Sequence, residues 1–346
     1  MKVLYLVPTR GLADPNTARE RLALERLGEN EVRVLAPPSG GSGGMLRRLG
    51  DVFALARAAA RESPADIVVC RDLDTLRAGV RTKAAFGPPT KLVYWPHDVY
   101  EWMVEADVPP LVPNVLTRHE RRLLPFIDAL VASNVGVLNW TLTQRGSLPI
   151  PPVALVMPCR DPLHHDPPPE SRTLCYLGTL HRNRFSVELL RAMRRIDGRL
   201  ILAAPRTNEL YGWVGANLPP NVEFRGTLGE AGVIAATRES DLVVSMLNPA
   251  DRNLRIGLAN KVFDAMSVGR AAVGTVGTAT GDLIAVTEMG ALCRYDEDDF
   301  VGTVSLLLDS PQTLREMSAN AHRACVERYN WTTETRKLWG LLDALG

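Results

Sequence analysis

Residues 260–273 read NKVFDAMSVGRAAV, and the two parts of this stretch follow different periods. Val262, Phe263, Ala265, Met266 and Val268 give one broad apolar side at helical spacing, interrupted by Lys261 and Asp264. Gly269 stops the helix, because a glycine just past the last turn takes the left-handed conformation that closes it. Residues 271–273 are small and apolar, the pattern of a short strand buried in a parallel sheet. Lys261 and Asp264 stand three apart and face the same way. Two readings follow: a surface ion pair, or a ligand-binding pair near the carboxyl ends of strands, where α/β sheets bind.

Working outward, the same alternation recurs. Strand-like runs cover 2–8 (KVLYLVP), 31–36, 66–70, 91–95, 128–132 and 153–157, with helical spacing at about 16–27, 73–85, 114–126 and 135–145. Residues 158–170 (PCRDPLHHDPPPE) break the pattern with five prolines and read as an interdomain linker. A second series follows at 173–177, 199–203, 221–224, 241–245, 271–274 and 291–294, then helices at 296–309, 311–329 and 331–345. Strands alternating with helices predict parallel sheets wrapped by helices. The expectation is two α/β halves with a cleft between them, the usual place for a ligand.

Composition narrows the function. Forty basic residues face 39 acidic ones, a net charge of +1, which gives no bulk attraction to nucleic acid. The five cysteines are spread singly and fit reduced thiols in the cytosol. No run approaches the roughly 20 apolar residues of a membrane span, so a cytoplasmic protein is expected. Residues 45–61 form a helix with Arg47, Arg48, Arg57 and Arg61 opposite Met45, Leu46, Leu49, Phe53 and Ala56. That pattern fits both a helix packed on a sheet and one lying on an anionic membrane.

The chain has no Gly-x-Ser-x-Gly elbow, no His-Glu-x-x-His and no Walker lysine, which removes the common hydrolase, metalloprotease and ATPase readings. The glycines of 37–44 (PPSGGSGG) complete no nucleotide fingerprint. Asp72 and Asp74 form a DxD triplet, read here as helix-capping with Asp74 at the cap, and His164, His165 and Asp166 as linker residues; no metal is expected. Four segments after strand ends carry ligand-binding chemistry. His97 follows 91–95, with the neighbouring Asp98 as a candidate tuning carboxylate. Gly178–Phe185 (GTLHRNRF) brings Arg182 and Arg184 to a helix mouth, a cradle for a diphosphate. Lys261 with Asp264 is the third, and Gly274–Gly281 (GTVGTATG) is the fourth, expected to open a helix at Asp282. Together they imply a phosphorylated ligand.

In this order the segments resemble the two-Rossmann-domain (GT-B) glycosyltransferases, particularly retaining glycosyltransferase family 4. The resemblance rests on DIVVCRDLDTL and KLVYWPHDVYE, on Glu120 followed by DALVASN, and on VMPCRDP. It continues through RTLCYLGTLHRNRF, NVEFRGTL, SDLVVSM, NKVFDAMSVGRAAV and the closing RYNWTTETRKLW. It implies an acceptor domain over 1–165, a nucleotide-sugar donor domain over 166–328, and a helix at 329–346 crossing back to the first. It also implies a hexosyltransferase-type enzyme moving sugar from a nucleotide-diphosphate sugar to a hydroxyl acceptor, with retention, no cofactor and no metal. Asp264 would hold the ribose and His97 the transferring sugar. Gly178, Thr179, Arg182, Arg184, Asn260, Lys261 and Gly277 would line the donor side, and Gly11, with Arg10, Arg19 and Arg21, the acceptor side. A lipid-linked acceptor would place the basic helix 45–61 at the inner face of a membrane. Two departures stand out: Ile256 occupies the place of a frequent glutamate, and Asp264 is one methylene shorter than the usual ribose carboxylate. They leave open a catalytically silent binding or scaffold protein, and a nucleotide-sugar epimerase on the same fold.

Overall fold

The computed structural model describes residues 1–8, 15–37, 53–103, 111–206 and 210–346. The chain divides into two compact units, Met1–Met157 with Glu334–Gly346, and Pro158–Thr333.

The first unit runs β1 (Lys2–Leu6), α1 (Pro15–Glu25), β2 (Glu31–Leu35), α2 (53–59), β3 (Ile67–Arg71) and α3 (Leu73–Phe86). It continues with β4 (Lys91–Trp95), α4 (Tyr100–Met103), α5 (Leu111–Leu123), β5 (Ala129–Ala132), α6 (Val135–Arg145) and β6 (Val153–Leu155). Its six strands are all parallel, in the order β2-β1-β3-β4-β5-β6. Strands β3 and β5 are buried throughout, which explains why they read as unbroken apolar runs rather than alternating ones. Of the basic helix, the described part buries Leu55, Ala56 and Ala59 in the core. Phe53 faces outward under the Arg77 and Arg81 guanidiniums, each 4.9 Å from its ring centroid. Residues 45–52 lie outside the described residues, as do Gly11 and Arg10.

The second unit runs β7 (Thr173–Leu177), α7 (Ser186–Met193), β8 (Arg199–Ala203), α8 (Tyr211–Ala216), β9 (Val222–Phe224), α9 (Glu230–Arg238) and β10 (Leu242–Ser245). After these come α10 (Arg252–Ile256), α11 (Asn260–Val268), β11 (Ala271–Thr275), α12 (Ala279–Val286), β12 (Gly290–Cys293), α13 (Glu297–Leu308) and α14 (Pro311–Glu327). The parallel strands are ordered β12-β11-β10-β7-β8-β9. The chain therefore leaves β7 in one direction for β8 and β9, and in the other for β10 to β12. The reversal falls between β7 and β10, the place in open α/β sheets where ligands bind at the carboxyl ends of the strands. The last helix, α15 (Trp331–Asp343), begins in the second unit and ends in the first. There the Trp339 indole donates to Ala23 O at 2.8 Å and Arg26 pairs with Asp343 at 2.5 Å.

Helix α11 is the centre of the second unit. Every residue from Lys261 to Val268 is buried, against α9, α14, β10 and β11. Gly269 closes it at φ 66°, its N–H bonding Met266 O while Arg270 N–H reaches back to Ala265 O at 2.9 Å. Arg270, only 2% exposed, caps the rest: its guanidinium donates to the carbonyls of Val268, Gly269, Asp166 and Arg238 at 2.7–3.2 Å. A buried cation at a helix C-terminus is favourable because it meets the orphaned carbonyls and the negative end of the dipole.

Residues 158–170 contain neither helix nor strand, yet they are seated along α11. Leu163 N–H donates to Ser267 O at 2.8 Å, and the His165 ring packs so close to Gly269 that a Cβ there would lie 2.3 Å from it.

Candidate donor and histidine sites

The bland reading of residues 260–273 required Lys261 and Asp264 to pair at the surface. They do neither: both side chains are buried, and each has a different partner. The Lys261 ammonium lies 3.5 Å from the centroid of the Tyr176 ring, a cation–π contact. Gly178, at φ 138°, stands beside it; a Cβ there would come 3.8 Å from Nζ. Burial, reinforced by the positive charge of Arg184, pushes the ammonium down to about 7. A lysine held this way is a preformed seat for an anion, which would restore its full charge.

Asp264 instead accepts from Arg160 Nε at 2.9 Å, and Arg160 Nη1 pairs with Glu230 at 2.5 Å. Arg160 comes from the proline-rich segment and Glu230 from the first turn of α9.

The loop after β7 is fixed by short-range bonds. The Tyr176 hydroxyl donates to Thr179 O at 2.6 Å. The His181 ring accepts from Asn183 N–H at 3.1 Å, and Tyr295 accepts from Phe185 N–H at 2.7 Å while donating to Arg182 O at 2.8 Å. Phe185 is thereby held left-handed at φ 59°, which turns the short 3₁₀ segment Arg182–Arg184 into α7. Arg182 is exposed and Arg184 half-buried. Asn183 O accepts from Asn248 N–H at 2.9 Å, and its amide donates to Asp251, tying this loop to the one after β10.

The fourth segment needs a correction. Helix α12 begins at Ala279, not Asp282, and β11 extends to Thr275, so the glycine-rich loop shrinks to a tight turn. Thr278 caps α12, accepting from Gly281 N–H. Gly281 is a helix residue because a Cβ would lie 2.2 Å from Thr275 O; Gly277, at φ 78°, is the residue that the turn itself requires. Thr280 accepts from Ala259 N–H at 3.0 Å and donates to Gly257 O at 2.9 Å, which seats the turn against the start of α11, where Asn260 is exposed.

In the first unit, His97 is enclosed by carboxylates that its sequence neighbourhood does not contain. Nε2 is 2.7 Å from Glu20 Oε1, Nδ1 is 3.5 Å from Asp72, and the His97 N–H donates to Asp72 at 3.0 Å. Glu20 also takes the Tyr5 hydroxyl and lies 3.5 Å from Arg71. Burial alone would lower the imidazole, but Glu20 and Asp72 raise it to about 10, so it is an imidazolium at neutral pH. The tuning groups are thus Glu20 and Asp72 rather than the adjacent Asp98. The cationic ring donates from Nε2 to Glu20 and keeps Nδ1 within ion-pair range of Asp72; it is not a general base. Asp72 adopts φ 65° to reach His97, and it, not Asp74, occupies the cap position of α3, without a side-chain cap bond. Asp74 accepts from the Tyr100 hydroxyl at 3.0 Å. Among the described residues no group of three His, Cys, Asp or Glu side chains is placed to hold a metal ion.

Lys261, Gly178, Arg184 and Asp264 are thus gathered at the strand-order reversal of the second unit, with Asn260 and Gly277 joined through Thr280. His97 belongs to a separate cluster in the first unit. Arg160, Glu230, Tyr176 and Glu20 were not singled out from the sequence; Arg160 and Tyr176 lay in motifs already noticed, VMPCRDP and RTLCYLGTLHRNRF, and the other two in none.

The fold matches that of sucrose-phosphate synthase from Thermosynechococcus elongatus, with a TM-score of 0.81 over 100% of this chain and 99% of that one, at 12% identity. Residues 171–310 match the family model described as Glycosyl transferases group 1. The chain has the fold of the GT-B glycosyltransferases, and its second unit is similar to Glycosyl transferases group 1. Anabaena HepE, solved with UDP and glucose, matches 99% of this chain and 100% of its own, with a TM-score of 0.71 and 16% identity. A glycosyltransferase from Rickettsia africae covers 99% and 98%, with a TM-score of 0.71 and 12% identity. These are likenesses of fold. No curated protein matches the sequence significantly. Among the described residues, no helix is long and apolar enough to cross a membrane.

Proposed function

We propose that the protein moves a sugar, with retention and without a metal, from a nucleotide-diphosphate sugar to a hydroxyl acceptor, as in glycosyltransferase family 4. The observation that carries this reading is the buried Lys261 ammonium beside Gly178 and Arg184 at the end of β7. Two cations at a backbone free of side chains suit a diphosphate, whose leaving charge grows as the sugar departs. Asp264 receives the ribose, while Thr179, Arg182, Asn260 and Gly277 complete the donor side. His97 contacts the transferring sugar. The bond from the anomeric carbon to the β-phosphate breaks as the acceptor oxygen bonds that carbon on the same face, and the acceptor's proton passes to the leaving phosphate. The oxocarbenium-like state is shared with other glycosyl chemistry.

The domains would divide as acceptor domain 1–165, donor domain 166–328 and closing helix 329–346, in a cytoplasmic protein. Residues near Gly11 line the acceptor side; a lipid-linked acceptor would bring helix 45–61 to an anionic surface, which vesicle sedimentation at low and moderate salt tests. The decisive assay is donor hydrolysis and transfer over UDP-, GDP-, ADP- and dTDP-sugars, with UDP-sugars first because HepE binds UDP. Lys261→Ala and Arg184→Ala should each remove most activity; full activity in both overturns the assignment. The second reading, a nucleotide-sugar-binding protein without turnover, is favoured by Ile256 at the end of α10. Steady release of nucleoside diphosphate would exclude it.

A further inference from the structure

We infer that Arg160 is a positioning residue for nucleoside recognition, orienting Asp264 and offsetting its charge so that its remaining oxygen receives the ribose hydroxyls. This rests on the donor-site reading above. Asp264 projects from a helix buried on every side, so its short carboxylate cannot reach a ligand by moving the backbone. Arg160 Nε occupies one of its oxygens, Oδ1, at 2.9 Å. The guanidinium is itself tethered, since Nη1 bonds Glu230 at 2.5 Å.

The backbone around Arg160 is equally constrained. Arg160 O accepts from the Cys325 thiol at 3.3 Å, Asp161 accepts from Thr332 N–H at 2.8 Å, and Leu163 N–H donates to Ser267 O at 2.8 Å. The side chain is 14% exposed, and that of Asp264 is 11% exposed. A planar guanidinium fixed at both ends selects one rotamer of its carboxylate partner, which a lysine point charge would not do. Its charge serves a second purpose. A bare carboxylate near a diphosphate would repel the donor; Arg160 offsets the Asp264 charge, and the remaining negative charge of the cluster sits on Glu230, whose side chain is 55% exposed and screened by solvent.

The test compares binding of UDP and GDP with that of their 2′,3′-dideoxy analogues, by calorimetry, in the wild type, Arg160→Gln, Arg160→Lys, Asp264→Asn and the Arg160→Gln/Asp264→Asn double variant. Loss of a charge-assisted bond should weaken the better-binding ribonucleotide roughly tenfold in Arg160→Gln, with little change for its dideoxy analogue. Arg160→Lys, which keeps the charge and guards against a folding defect, should also lose ribose preference. The double variant should bind no worse than Asp264→Asn, because Arg160 acts through Asp264. Wild-type ribose preference in both Arg160 variants, with Asp264→Asn impaired, overturns the inference alone. An Asp264→Asn variant indistinguishable from wild type overturns the donor-site reading beneath it.

Discussion

On the proposed donor-site reading, Lys261 would make donor binding a proton-uptake reaction. In the empty site its ammonium titrates at about 7, because burial and Arg184 oppose its charge more than Asp264 supports it. A bound diphosphate reverses that balance and restores the proton. The sign follows from which state holds the proton more tightly. Below about pH 6 the lysine is charged before and after binding and affinity is flat; above 7 each binding event must draw a proton from solvent. With a free-state value of about 7, affinity should fall about thirtyfold, or ~2 kcal/mol, between about pH 6 and about pH 8.5. The assay is calorimetry of the tightest-binding nucleotide sugar from the donor panel, whose diester diphosphate does not itself titrate in this range. Repeating it in two buffers of different ionisation enthalpy counts protons directly: roughly one should be taken up at pH 8.5 and about a tenth of one at pH 6. Lys261→Arg, always charged, should bind with a flat profile. Intact binding at pH 8.5 with no proton uptake in the wild type would refute the reasoning.

Three further outcomes test the frame around the site. Arg270→Ala leaves the carbonyls of Asp166, Val268, Gly269 and Arg238 without their donor, and should cost about 3–5 kcal/mol in denaturant unfolding of the full chain. Gly281→Ala, which in an open helix would gain about 1 kcal/mol, should instead cost about 1–3 kcal/mol because the new methyl meets Thr275 O. For His97 the folded value of about 10 lies above the ordinary one, so its stabilisation is complete below about pH 6.5 and is lost as pH rises through 10. The stability difference between wild type and His97→Asn, on the order of 5 kcal/mol at most, should therefore shrink toward pH 10; a difference that grows would mean the ring is neutral.

What the sequence disclosed was local or periodic. The stop at Gly269 needs only residues 265–270, and the paired series of apolar strands was enough to predict two parallel sheets. The boundary of α12 was misplaced because a glycine run looks like a loop, whereas Gly281 is demanded by a strand carbonyl that no local pattern reveals. The site was legible where it lay on loops after strands, and illegible where it depends on contacts across the chain. Glu20 is 77 residues from His97 and Arg160 is 104 from Asp264. Neither separation leaves any spacing to read. Asp98 looked like the partner of His97 only because it was adjacent.

The seating of residues 158–170 along α11 has a consequence of its own. Arg160 meets Asp264, Leu163 meets Ser267, His165 fills the space over Gly269, and Asp166 receives Arg270, so the segment runs in step with the last turn of the helix and its stop. A stretch that composition marks as a spacer works as a ruler. Asparagine, the usual stand-in for glycine at a left-handed helix end, has no room at 269 beside His165, so the helix stop and the path of the segment are inherited as a single requirement. Adding or deleting a residue between 160 and 165 would slide the register and be felt first at Asp264.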